Sequence, residues 1–178
     1  DGTNPERRLP VLPLASPPPP SPPGGSAPEA RPYRWTRLYR YDFLFGGPLF
    51  VHQLSHMWSD LRAIQDEFMR AKGIDYFENS RRATYVQQQY AIQNRRRHKG
   101  YGENCWGITA SDGPGPASLL IDGVERKFFD YEARGIPYGP DDGTIAPRAV
   151  VDSLRVWPEV VVSALQYFRE NSREKNST

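Results

Sequence analysis

From residue 48 to residue 72 the apolar side chains Phe50, Leu54, Met57, Trp58, Leu61, Ile64 and Phe68 recur at steps of three and four. That is the period of a helix with one buried face, and a strand alternating every second residue does not reproduce it. Pro48 suits the first turn of such a helix, where its missing N–H costs nothing, and Gly73 suits the C-terminal cap. Trp58 falls on the apolar stripe and is expected in the core. A second helix is expected over residues 77–94, with Ala83, Val86, Tyr90 and Ile92 inward, and the cations of residues 95–99 complement its C-terminal dipole. A third, over residues 158–170, sets Val161, Ala164, Leu165 and Phe168 on one stripe, and a short one occupies residues 146–154. Strand alternation is poor, so the spacing predicts an all-α architecture, with long functional loops between residues 99 and 144.

Composition changes sharply at the N-terminus. Residues 1–32 include the run SPPPPSPPGGSAP, whose prolines remove backbone donors and favour extended polyproline II. This arm is expected to be a disordered spacer, with a PxxP ligand as the alternative, which leaves residues 33–178 as one domain. The chain opens at Asp1 without a methionine and without a secretory signal, so the start of the gene product is expected to be missing. No apolar run approaches the roughly 18 residues of a membrane span. With 23 Lys and Arg against 21 Asp and Glu the net charge is +2, too little to steer nucleic acid. The run RRRHK reads as a solvated helix end. Cys105, the one cysteine, has no partner for a disulfide or a zinc knuckle and is expected as a buried small residue.

Three polar, glycine-punctuated segments follow in order: GGPLFVHQLSHMWSD, YGENCWGITASDGP and DDGTIAP, beginning at Gly46, Tyr101 and Asp141. Carboxylates that bind hydroxyls or move protons, aromatic faces and close-approaching backbone together suit a sugar cleft. Glu103, flanked by Tyr101 and Trp106, is the first candidate for an acid or base, because desolvation there raises a carboxyl pKa; a backbone-bonded loop carboxylate is the alternative. Asp141 and Asp142 fit either the second catalytic group, for which Asp142 is preferred, or a cap for the following helix. Asp112 fits either a sugar contact or ordinary Asp-Gly-Pro turn chemistry. Tyr101 and Trp106 are expected to stack on sugar. His52 and His56 share a helix face with zinc-like spacing, but Gln53 stands where a metalloprotease carries its glutamate and no third ligand is signposted. No metal or cofactor is expected, and Gln53, His52 and His56 are expected to bond sugar or support loops, with histidines that simply pack the helix as the alternative.

The strings GPLFVHQLSHMW, GIDYFENSRRAT, GYGENCWGITASDGP and DDGTIAPRA resemble the bacterial glycoamylase-like family, which includes β-1,2-glucanases. The resemblance implies an (α/α)6 barrel, a ring of paired helices whose loops form the cleft. Twelve helices need far more than 178 residues, so the chain is expected to be the C-terminal part, completed by a missing N-terminal half. It further implies a glycoside hydrolase that cleaves a glucan or glucooligosaccharide with a pair of carboxyls, in a periplasmic or extracellular setting. A noncatalytic carbohydrate-binding remnant is the alternative.

Overall fold

The computed structural model describes residues 34–174; the proline-rich arm expected over residues 1–32 lies outside them. Strands β1 (Trp35–Leu38) and β2 (Tyr41–Leu44) open the domain as an antiparallel hairpin. Its two turn residues, Tyr39 and Arg40, both have positive φ, the conformation that matches the twist of paired strands. Next come two 3-10 turns, Leu49–His52 and Leu54–Met57, and then α1 (Glu67–Lys72) and α2 (Tyr76–Gln93). Short strands β3 (Ala110–Ser111), β4 (Ala117–Ile121), β5 (Val124–Phe128) and β6 (Glu132–Ala133) precede α3 (Pro147–Asp152) and α4 (Pro158–Glu174). The strands pair as β1-β2, β3-β6 and β4-β5, and none of these two-stranded sheets closes. The domain is thus helix-rich, but strictly all-α it is not: one small antiparallel ribbon opens it and two more sit between α2 and α3.

The long helix expected over residues 48–72 is the largest correction. Its backbone donors are drawn elsewhere: Leu49 N–H bonds Ile108 O, and Phe50 N–H bonds Thr109 Oγ1 at 3.0 Å. Asp60 accepts from Arg62 N–H, Ala63 takes a left-handed φ, and Asp66 caps a new helix by accepting from Met69 N–H at 2.7 Å. Short polar side chains that bond their own backbone compete with helix in this way. With the helix broken, the apolar stripe does not face one core, and Trp58, expected inside, is 82% exposed.

Helix α2 follows its period. Asp75 caps its start by accepting from Glu78 N–H, and Asn94 ends it in the left-handed region. Ala83, Val86 and Ala91 are buried with Leu49, Trp106, Ile108, Val150 and Val161 in one core; each fully buried Val, Leu or Ile side chain contributes about 1.5–3 kcal/mol and each alanine methyl less. Ile92, expected inward, is exposed, and so are Leu165 of α4 and Leu54. Prolines open α3 and α4 where the sequence placed them.

The same helix also buries Asn79, Ser80, Thr84, Gln87 and Gln88. Buried amides require partners, and here they grip loops. Asn79 Oδ1 accepts from Leu44 N–H at 2.7 Å, and Gln87 makes a double bond pair with the backbone of Ile108, 3.1 Å each way. Gln88 Nε2 donates to Glu103 O at 3.0 Å. With these side-chain amides the helix holds the end of β2 and, at two points, the segment that begins at Tyr101.

Candidate functional site

The segment YGENCWG is a tight turn. Gly102 and Cys105 exchange backbone hydrogen bonds of 3.1 and 3.2 Å, which puts Glu103 at the exposed tip. Both flanking aromatics point inward. Tyr101 is buried, and Trp106 is fully enclosed in the core with its Nε1 unpaired, so its indole offers no face for stacking. Neither ring therefore meets the expectation of a sugar platform in this chain; they anchor the turn that lifts Glu103. Burial raises the Cys105 thiol, which keeps it protonated and inert.

Gly107 closes the segment at φ +113°, with a Cβ position 3.0 Å from Ala146 O and 3.1 Å from Val150 Cγ2, so any larger residue meets α3. Ala146 N–H bonds Gly107 O at 3.0 Å, stitching YGENCWG to DDGTIAP. The second seam is a side-chain one: Tyr101 Oη donates to Asp141 Oδ1 and Tyr90 Oη to Asp141 Oδ2, both at 2.7 Å. Burial works to raise the Asp141 carboxyl, but the His98 ring and the two phenols outweigh it and hold it down at about 2. His98 Nε2 lies 3.4 Å from Asp141 Oδ1, close but short of hydrogen-bond geometry. Burial and the adjacent carboxylate in turn push both phenols up, so they stay donors.

Asp142 is committed more completely still. Arg134 Nε and Nη2 bind its two oxygens at 2.7 Å each, and Phe129 N–H and Thr144 N–H add 2.9 and 3.1 Å bonds. The remaining fork of Arg134 reaches Ser111 O at 2.6 Å and the carbonyls of Phe129 and Asp130. Both partners are fully buried. Burial disfavours the carboxylate, yet the guanidinium and the two amides hold it well below the usual range. Asp142, expected as a catalytic group, is in this geometry a locked anion with its lone pairs spent on the loop. Asp112, one residue beyond the Ser111 carbonyl that Arg134 holds, is exposed.

The histidines of HQLSH face α2. His52 Nδ1 is 3.4 Å from Asn79 Nδ2 and its Nε2 is 3.3 Å from Gly46 O, an arrangement that fits the neutral ring protonated on Nε2. Burial pushes His52 down to about 4, only partly opposed by the Gly46 carbonyl. His56 Nε2 meets Ser80 Oγ at 2.8 Å while that hydroxyl donates to Tyr76 O, so the ring donates; burial lowers this histidine as well. Gln53 Nε2 bonds Ala149 O at 2.6 Å and Ser153 Oγ at 2.8 Å, pinning α3. Among the described residues no cluster of three His, Cys, Asp or Glu side chains could hold a metal ion.

The three segments do converge, as the sequence suggested, but through partners it did not reveal. Tyr90, predicted only as an inward residue, proves to be a carboxylate donor. Gln88 and Arg134 carried no motif, and His98, part of the RRRHK run expected to be solvated, is instead buried beside Asp141. A cavity of about 550 Å³ opens against Asp141 and Asp142, bordered by His98, Arg96, Arg126 and Lys127. Glu103 borders neither this cavity nor a smaller one beside Gln53. Chemically, then, YGENCWG presents the exposed Glu103 carboxyl at the tip of its turn, while DDGTIAP carries two buried, ionised carboxylates that are already hydrogen-bonded.

This helix-rich scaffold with carboxylate-bearing loops is of the kind found among glucan-processing proteins. The family model for glycoamylases, described as "Putative glucoamylase", matches residues 2–177, and the chain belongs to that family. It is 31% identical over 126 residues to an exo β-1,2-glucooligosaccharide sophorohydrolase (non-reducing end) of Parabacteroides distasonis, covering 71% of this chain and 15% of that protein. Among solved structures it is similar to a "putative glucoamylase" of Bacteroides uniformis, with a TM-score of 0.61, 32% identity, and 78% of this chain over 30% of that one. It is also similar to an endo-β-1,2-glucanase of Chitinophaga pinensis in complex with sophorotriose and glucose, with a TM-score of 0.65, 25% identity, and 82% of this chain over 32% of that one. The chain thus spans less than a third of the relatives' length. Among the described residues no helix is long and apolar enough to cross a membrane.

Proposed function

We propose that this chain is part of a glycoside hydrolase domain acting on a glucan or glucooligosaccharide, with β-1,2-linked glucose as the substrate class. Its four helices would contribute to an (α/α)6 ring that the remaining barrel segment completes. Membership of the glycoamylase family carries this reading, together with relatives named for β-1,2-glucan hydrolysis. Within the chain, Glu103 takes the proton-moving role. It is exposed at the tip of a turn that Gln88, Tyr101 and Trp106 immobilise from behind. In such hydrolysis one carboxylic acid protonates the leaving oxygen while a second carboxylate activates water or attacks the sugar. Asp141 and Asp142 act as positioning groups, ionised and saturated, so the second proton-moving carboxyl is contributed from another part of the barrel.

Reducing-sugar release from linear β-1,2-glucan tests this, measured for the chain alone and for the chain extended upstream along its gene. Glu103→Gln in the extended protein is expected to lower the rate by at least about a hundredfold, as loss of a general acid or base does. The melting temperature should not change, because the side chain is exposed. A folded extended protein that releases no sugar from β-1,2-glucan or starch would overturn the hydrolase reading. The saturation of Asp141 and Asp142 supports a second reading, a carbohydrate-binding remnant without turnover; glucan binding that survives Glu103→Gln in a protein with no hydrolysis would establish it.

A further inference from the structure

The β4-β5 ribbon joins an apolar surface to a basic one. Its register pairs Leu119 with Arg126 and Ile121 with Val124, so these four side chains share one face with Ala117 and Phe128. Leu119, Ile121 and Val124 are 53%, 40% and 52% exposed. The acids of the hairpin lie off this face: Glu125 is paired with Leu120 on the opposite one, and Asp122 sits in the turn. Arg126, on the apolar face, reaches back to the run that follows α2, its Nη1 donating to Arg96 O at 2.9 Å and its Nη2 to Arg97 O at 3.1 Å. The run RRRHK therefore borders the apolar side of the ribbon. Arg96 donates to Asp141 O at 3.1 Å, whereas Arg95, Arg97 and Lys99 are exposed and form no ion pair with any described residue.

We propose that this surface docks on an anionic phospholipid membrane, the apolar strand face entering the headgroup boundary and Arg95, Arg97 and Lys99 meeting the lipid phosphates. Stable peripheral attachment takes two signals, an apolar insertion and a basic patch, because either alone binds marginally. Both occur here, in one ribbon and the run it holds. The net charge of +2 hides the patch, since acids elsewhere in the chain balance it. Charge also decides against a second copy as the occupant: two such faces brought together would set each group of cations near its equal. A nucleic acid would pair with the cations but leave Leu119, Ile121 and Val124 in water, because none of the three is an aromatic on which a base stacks. Docking of this kind lies on the bilayer and needs no spanning helix. It is independent of the hydrolase reading above.

The full chain is mixed with phosphatidylcholine vesicles, with and without phosphatidylglycerol, and the bound fraction is measured by sedimentation. Binding to the vesicles that hold phosphatidylglycerol is expected to be at least about tenfold tighter than to phosphatidylcholine alone, and to weaken with added salt. Arg95→Gln, Arg97→Gln and Lys99→Gln combined should weaken it at least about tenfold. Leu119→Ser with Val124→Ser should weaken it severalfold. The melting temperature of the free chain should hold in both variants, because the replaced side chains are exposed. If one variant fails to fold, the other carries the test. Equal binding to both kinds of vesicle, or binding to neither, overturns the proposal. Lipid binding that neither variant weakens overturns it too, since the contact then lies elsewhere in the chain. Self-association without lipid binding, reversed by Leu119→Ser with Val124→Ser, overturns it in favour of a second copy. Hydrolysis is read in none of these arms, so failure here leaves the glucan reading standing.

Discussion

Two regions of this domain invert the usual relation between polarity and burial. Where DDGTIAP meets β3 and β6, an arginine and two aspartates are among the most enclosed side chains, with Arg134 at 0% exposure. In the β4-β5 hairpin, less than ten residues away in sequence, Leu120 is 77% exposed and Leu119, Ile121 and Val124 stand in solvent as well. The difference lies in partners. Arg134 finds a carboxylate and three carbonyls for its planar fork, so its desolvation is offset bond by bond. The hairpin is two strands without a third layer, and a ribbon of that size has nothing to bury its apolar residues against.

Arg134→Ala breaks this contrast most severely. It leaves Asp142 buried, ionised and unpaired, and removing one partner of a buried pair costs about 3–5 kcal/mol. A large drop in the denaturant midpoint is expected; a drop of under 1 kcal/mol would mean that water reaches Asp142. Arg134→Lys should rescue little, because a single ammonium does not reproduce the bidentate contact.

Acid titration sharpens the same contrast at the His52 and Asp141 sites. Both groups have folded values below their unfolded ones: His52 falls from 6.5 to about 4 and Asp141 from 3.8 to about 2. For each, the unfolded chain binds its proton first, so stability is complete above the unfolded value and declines as pH falls toward the folded one. Loss is therefore expected in two stages, His52 between about pH 6.5 and 4 and Asp141 below about pH 4. The first is worth up to about 3 kcal/mol and the second about 2 kcal/mol. Unfolding free energies measured across this range check it, and His52→Asn should shrink the upper stage to the part left by His56, which burial also lowers, while the lower stage stays.

These same regions show how much a reader of the sequence could have seen. Helix α2 was legible because period, the Asp75 cap and the Asn94 stop agree, and Pro147 and Pro158 marked the starts of α3 and α4. The region of residues 48–72 misled because periodicity counts apolar residues while the outcome turned on Asp60, Asp66 and the distant acceptors Ile108 and Thr109. The hairpin carried a signal that went unused: Asp122-Gly123, both at positive φ, forms its two-residue turn. The segments around Glu103 and Asp141 announced themselves as motifs. Arg134 did not, since a lone arginine in a glycine- and proline-rich loop has no pattern to betray a partner eight residues on.

Tyr101→Phe tests the junction more gently. It removes one of the two phenol donors to Asp141, keeps the ring in the core, and leaves a buried acceptor short of one bond, for about 1–2 kcal/mol. The tip of the turn should loosen with it, so the extended enzyme is expected to lose activity further than its stability loss explains; equal losses would separate Glu103 from this anchor.

The smallest effect belongs to the hairpin. Leu120→Ser exchanges an apolar side chain already 77% exposed for a polar one, and surface substitutions of this kind fall within about 0.5 kcal/mol. Thermal unfolding of the chain should be nearly unchanged. The informative case is a loss above 1 kcal/mol, because the described residues offer Leu120 nothing to pack on, and a cost of that size would require something that covers the hairpin in solution. The hairpin would then be a buried element in solution, while Arg134 and Asp142, which complete one another within the chain, would be unaffected.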